Sequence, residues 1–356
     1  MDLSTNKRIE WDIGTAYDFF VSLWALHEPG RLGLRGSWAA GVRSRLPGPE
    51  REILQRVTPL VRPIGWVHTL PNPKNAQTAL EQLRALEPAA RLLALMPDTP
   101  DHITAIWRDV AVRGSWAEED QKPLVEQMAG GEWKKQPATV VRKAAADCLD
   151  LWTDPITAAD GLLVAYKCYY EVFFAEEELR IHPALEAGLA RAQLMAGQIN
   201  QWDMLLEELS QGVRVVKDWE DKTLVLTPSY WGTPLAVITD LTPDRILFMF
   251  GARPSEESLI PGEVVPDALH QALKALADPT RLRILRYLTD EPLTPAELAR
   301  RLRLRSPTVI HHLDALRLAR LVIVTLDADS KRYAVRPNAV ADVFDLLNHF
   351  LIAREG

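Results

Sequence analysis

The residues best equipped for chemistry are two adjacent histidines, His311 and His312, in the stretch Ser306-Pro-Thr-Val-Ile-His-His-Leu-Asp-Ala-Leu. An imidazole can ligate a metal, move a proton, or touch a base edge or phosphate. Spacing decides among these. Neighbours on an α-helix diverge by about 100°, whereas helical metal pairs stand at i and i+4. On that wheel Val309, Leu313 and Leu316 form an apolar stripe. Pro307, His311, Asp314 and Leu318 point the opposite way, with Thr308 beside them, and His312 lies on the flank of the stripe. The pair is thus divided. His311 faces outward to meet a base or phosphate, and His312 is a packed or phosphate-touching structural residue.

Other chemistry is sparse. The two cysteines, Cys148 and Cys168, form no CxxC or Cys/His cluster, so neither a disulfide framework nor a metal site is expected. No GxSxG, GxGxxG, GxxxxGK[S/T] or HExxH occurs, and therefore no catalytic centre or cofactor is expected. Tyr166, Tyr169, Tyr170, Phe173 and Phe174 recur at helical spacing and place five aromatics on one stripe. Such a stripe is either core or, with Trp24, Trp107, Trp152 and Trp202, the lining of a pocket for an apolar effector.

The elements that position the histidines are marked by their caps. Asp278-Pro279, Thr294-Pro295 and Ser306-Pro307 each set a capping side chain before a proline at the first helical position, and Asn338 precedes a fourth helix. Thr294 with Glu297 also makes a capping box. Helices 295–302 and 307–319 are separated only by Arg303–Ser306, a helix-turn-helix spacing. Val322–Leu326, a turn at Asp327–Ser330 and Lys331–Arg336 then read as a two-stranded wing. Charge agrees with a nucleic-acid surface here. The 356-residue chain has net charge −7, yet residues 278–336 hold 12 Lys and Arg against 7 Asp and Glu. A polyanion responds to this local field, because distant charges are screened over roughly 8–10 Å.

The phrases ALADPTRLRILRYL and LTPAELARRLRLRSPTVIHHLDALRLARLV, with the wing, resemble the ArsR family of winged-helix transcriptional regulators over about 268–352. The resemblance implies that the second helix of the pair enters the DNA major groove, with Arg305, Ser306, Thr308, Ile310 and His311 as readers and His312 at the helix flank. Thr294, Arg303, Arg317, Lys331 and Arg332 complete the expected DNA-binding set. Three residues depart from the family pattern: Ile310 stands where Ser is usual, Arg320 where Gly usually ends the helix, and Asp314 where a base is common. The closing helix, with Val340, Val343, Phe344, Leu347, Phe350 and Leu351, and Leu269, Ala272, Leu273 and Leu276 upstream resemble the family's dimerisation surface, implying a homodimer on double-stranded DNA.

Upstream, the fold class expected is mainly α: a multi-helical domain over 1–211, a small antiparallel β-sheet over 212–252, and a Pro/Gly/Ser-rich linker over 253–267 before the winged helix of 268–352. Helical patterns fall at about 75–96 (interrupted by Pro88), 101–113, 118–130, 137–151, 156–180 and 183–211. Val213–Val216 with Thr223–Leu226, and Leu235–Ile238 with Arg245–Phe250, read as two hairpins. No stretch approaches the ~18 apolar residues of a membrane span and no apolar leader opens the chain, so a cytoplasmic protein is expected. The function expected is that of a DNA-binding regulator, a repressor acting as a homodimer, whose N-terminal domain senses a small molecule or partner. Two alternatives stand beside it: a ligand-binding or enzymatic N-terminal domain using the winged helix as a protein–protein module, and a metal-responsive regulator.

Overall fold

A computed structural model of the chain describes residues 8–97, 99–215, 222–326 and 331–352. Two compact units emerge, one of Gly14–Glu28 with Ala39–Arg180, the other of Met1–Ile13, Pro29–Trp38 and Ile181–Gly356. Their border falls inside the helix Ala175–Gln198, not in segment 253–267.

The first unit is helical. Its central helix, Thr15–His27, is buried along almost its whole length, as its largely apolar sequence favours, with Asp18 and Ser22 buried among the apolar side chains. Phe19 meets Phe174 edge-on at 5.2 Å between ring centroids, and Phe20 meets Tyr166 at 5.6 Å. The Tyr169 hydroxyl lies 2.9 Å from Ser22 Oγ. Trp107 and Trp152 stack at 5.2 Å. Glu178 fastens two helix starts at once, accepting from Thr15 Oγ1 at 2.5 Å and from the Ala76 amide at 2.9 Å.

The aromatic stripe proves to be interior packing. Tyr166, Tyr169 and Phe174 are wholly buried against Phe19 and Phe20, while Tyr170, Phe173 and Trp24 are half-buried. The five do not share one face, because Tyr170–Phe174 is wound as a single π-helical turn between Pro155–Tyr169 and Ala175–Gln198. That turn advances the chain by one extra residue and brings Phe174, not Phe173, to the core. The next helix runs straight through Pro183, where a boundary was expected, and ends at Gln198.

Among the described residues the second unit carries seven strands: β1 (Arg8–Trp11), β2 (Val213–Val215), β3 (Thr223–Ser229), β4 (Val237–Thr242), β5 (Arg245–Gly251), β6 (Val322–Leu326) and β7 (Lys331–Val335). One sheet has the order β1-β3-β5-β4, the other β2-β6-β7. The expected hairpin of β4 and β5 is antiparallel. The other expected hairpin does not form, since β3 pairs in parallel with both β1 and β5, and the sheet is mixed, not antiparallel. Leu224, Val225 and Leu226 are all buried. That continuous burial is the pattern of a strand covered on both faces, which parallel pairing favours. Leu205, Leu206 and Leu209 of the helix Trp202–Ser210 pack on Leu224, Leu226, Ile246 and Phe248.

Segment 253–267 is a pinned loop instead of a free linker. Arg253 Nη1 donates to Asp267 Oδ2 at 2.7 Å, the Leu259 amide donates to the same oxygen at 2.7 Å, and Tyr230 donates to Glu257 at 2.8 Å. Leu259 itself is fully buried. Val216, at the end of an expected strand, lies outside the described residues.

Burial pushes the His27 imidazole below its ordinary pKa of 6.5, although Nδ1–H donates to the Leu23 carbonyl at 2.8 Å. As pH falls, the unfolded chain therefore takes up the proton first, and stability is lost below about pH 6.5. Urea titrations at about pH 7.5 and 5.5 should show a smaller drop in midpoint for His27→Gln than for the unsubstituted protein.

Candidate nucleic-acid interface

The winged helix is assembled from short-range hydrogen bonds around one apolar core. Asp278 Oδ1 accepts from the amides of Thr280 at 2.8 Å and Arg281 at 3.0 Å, starting helix Pro279–Asp290. Thr294 and Glu297 close the capping box of helix Pro295–Leu302: the Thr294 amide donates to Glu297 Oε2 at 2.7 Å and the Glu297 amide to Thr294 Oγ1 at 3.3 Å. Arg303 then takes a left-handed conformation, φ 56°, which ends this helix and turns the chain into the next. The second helix of the pair, the one expected to enter the major groove and called the reading helix on that expectation, spans Ser306–Leu318. Its cap position is Arg305, and no side chain caps it, so Ser306 is its first residue and not the expected capping side chain.

Val309, Leu313 and Leu316 are completely buried against Ile284, Leu298, Leu302, Leu321 and Tyr333. That anchoring fixes which face of the helix looks outward. Arg303, Arg305, Ser306, Thr308 and His311 are exposed, and Ile310 and Arg317 are half-buried. Lys331 and Arg332 are exposed on β7, where Arg332 also donates to the Pro292 carbonyl at 3.3 Å. Thr294 is half-buried with its hydroxyl engaged by Glu297 at 2.8 Å, which makes it a cap first. Arg300, exposed on the preceding helix, adds a charge beyond the expected set. Its signal was the Arg300-Arg301 pair. The wing turn 327–330 lies outside the described residues.

The two histidines occupy different environments although their rings lie 6.1 Å apart. His311 is exposed. His312 is half-buried, and its Nδ1 is buried without a hydrogen-bond partner. Burial lowers its pKa more than the nearby Asp278 carboxylate raises it, so the ring is uncharged at neutral pH. Among the described residues no three His, Cys, Asp or Glu side chains gather to hold a metal ion.

Comparison with known proteins agrees with this geometry. A helix-turn-helix domain family matches residues 276–325. The chain is 37% identical over 91 residues to the HTH-type transcriptional regulator CmtR of Mycobacterium bovis and of Mycobacterium tuberculosis, covering 26% of this chain and 77% of those proteins. It is 38% identical over 80 residues to the HTH-type transcriptional regulator Rv2034 of Mycobacterium tuberculosis, covering 22% of this chain and 75% of that protein. The chain belongs to the ArsR family. As an ArsR-family protein it is a DNA-binding transcriptional regulator. The matched part is about a quarter of the chain, and the remainder is a large addition to the ArsR-type winged helix.

Because Thr294 serves two bonds of the capping box, Thr294→Ala should lower stability by about 1 kcal/mol. Chemical denaturation of the full chain measures it.

Proposed function

We propose that the protein is a repressor that binds operator DNA as a homodimer, with residues 268–352 as the DNA-binding part and the helical unit as the sensor of a small apolar molecule or partner. The observation that carries the DNA contact is the exposed end of the reading helix: Ser306, Thr308 and His311 face solvent together, flanked by Arg303 and Arg305. The first turn of a helix presents unpaired amides and positive dipole to a phosphate, and no side chain fills that place here. Thr308 and His311 are suited to base edges, Arg303, Arg305, Lys331 and Arg332 to phosphates. His312, uncharged and wedged on the flank, supports the helix from behind.

The dimer reading rests on the closing helix Ala339–Ile352. Val343 is buried in the domain core, yet Val340, Phe344 and Leu351 are exposed to 42%, 53% and 69%, beside Leu273 at 39%. A single large aromatic left half-exposed amid aliphatics is a patch that pairing with a second copy would cover. A two-fold protein would then meet paired half-sites one helical turn apart.

For the sensor, the packed Tyr166–Phe174 region offers no space. The helical unit does hold an apolar cavity of about 220 Å³, walled by Leu60, Met96, Ile103, Trp107, Met128 and Trp133. Such a site suits a small apolar effector.

Thr308→Ala with His311→Ala should reduce the ratio of operator to non-specific affinity by roughly 10-fold or more, while Lys331→Ala with Arg332→Ala should weaken both and flatten the salt dependence by about two phosphate equivalents. Titration of labelled DNA from the protein's own upstream region, at fixed and varied salt, measures both. No binding by the unsubstituted chain would overturn the DNA assignment. Phe344→Glu should shift the protein from dimer to monomer in sedimentation velocity without lowering its helix content.

A further inference from the structure

We propose that the cavity beside Arg320 is a binding site for a small multivalent anion, a phosphate or a polycarboxylate. The cavity, about 670 Å³, lies within the strand-bearing unit, where the end of the reading helix, the closing helix and helix Ala175–Gln198 converge. Arg320, Arg336, Arg191 and Ser255 are on its walls.

Arg320 breaks three local preferences at one position. It holds φ at 55°, in the left-handed region that costs an L-residue with a side chain roughly 1 kcal/mol or more. It draws its guanidinium out of full solvent, half-buried against the chain. It places that charge among other cations: burial first, then Arg253, Arg336 and Arg191, push its pKa down to about 9, with Glu256 acting the other way. The only hydrogen bond its side chain donates, among the described residues, is to Ser255 Oγ at 3.2 Å. A neutral glycine would end the helix at lower cost. Where a chain sustains cost of this kind at a cavity wall, a ligand that relieves it is the physical expectation.

What Arg320 and Arg191 lack, among the described residues, is a negative partner. Arg253 is already held by Asp267 and Arg336 by Asp342, each at 2.7 Å. Arg191 and Arg320 form no ion pair among the described residues. Four carboxylates share the walls: Asp342 pairs with Arg336, and Glu208, Glu256 and Asp345 are exposed to solvent. A phosphate or carboxylate seated between Arg320 and Arg191 would receive charge-assisted bonds from planar donors whose geometry suits it. Such an anion would also act on the backbone of the DNA-binding part, because Arg336 Nε donates to the Arg320 carbonyl at 2.7 Å and the Arg336 amide to the Leu321 carbonyl at 3.1 Å.

Isothermal titration of the full chain with pyrophosphate and, separately, with citrate, at ionic strength matched by sodium chloride, tests this. One equivalent should bind, the melting temperature should rise with anion concentration, and the stronger of the two arms identifies phosphate or carboxylate as the ligand chemistry. Arg320→Gly should weaken binding roughly 10-fold or more without lowering the melting temperature of the free protein, since glycine accepts this φ. No binding of either anion to the unsubstituted chain, or undiminished binding by Arg320→Gly, overturns the proposal. Should that variant not fold, Arg191→Gln on the exposed helix face decides: weakened binding supports the site, and unchanged affinity overturns it.

Discussion

The second unit depends on what happens at the free edge of β6. A wing of two strands leaves one row of backbone groups unpaired, an open template for another chain. Here β2 takes that edge in parallel, with Val213 opposite Val324 and Val215 opposite Leu326, and the Val324 amide donates to the Gly212 carbonyl at 2.7 Å. Reaching it requires an abrupt turn out of helix Trp202–Ser210, made by Gln211 and Gly212 at φ 53° and 130°. A Cβ at position 212 would stand 3.0 Å from the Val322 carbonyl oxygen. The wing is therefore joined by backbone to the strand after that helix, and the same helix covers the four-stranded sheet through Leu205, Leu206 and Leu209. DNA-binding part and sheet form one body because of this edge.

What was legible in the sequence follows the range of the interaction that determines it. Asp278 and Thr294 could be read as caps because their bonds reach only two or three residues along the chain. The outward face of the reading helix was legible too, since the burial of Val309, Leu313 and Leu316 follows from helical pitch alone. Ser306 obeyed the same rule on paper and failed it. The helix began one residue early, and its hydroxyl was left outside the cap. Strand partners were not legible, because pairing is decided by which edges the tertiary fold brings together. The run from Leu224 to Leu226 suits a hairpin or a buried parallel strand equally well until β1, residues 8–11, is seen beside it from the other end of the sequence. Composition misread segment 253–267 as a linker, since a single carboxylate, Asp267, can order a Pro/Gly-rich loop by accepting from both Arg253 and Leu259.

Electrostatics divides the candidate interface from the rest of the protein more cleanly than net charge suggests. In this acidic chain Arg303 and Arg305 stand at the exposed start of the reading helix and Lys331 and Arg332 on β7, where the field is local and screening by salt limits the influence of distant acids. At the other end of the same helix the charges face inward, at Arg320. One helix thus carries solvent-facing cations at its beginning and a partly desolvated cation at its end.

The π turn at Tyr170–Phe174 has a consequence of its own. One surplus residue in an otherwise α-helical run rotates everything after it by about 100° relative to everything before. Pro155–Tyr169 and Ala175–Gln198 are thus two amphipathic registers spliced without a loop, and a helical wheel drawn across the splice mixes them. Deleting any one residue between Tyr170 and Phe173 would restore regular pitch on paper, yet it would turn the whole downstream helix by more than a quarter of a turn and move Glu178 off the helix starts it fastens. The insertion behaves as a phase setting, and its length, more than the identity of its side chains, is what the rest of that helix has been built around.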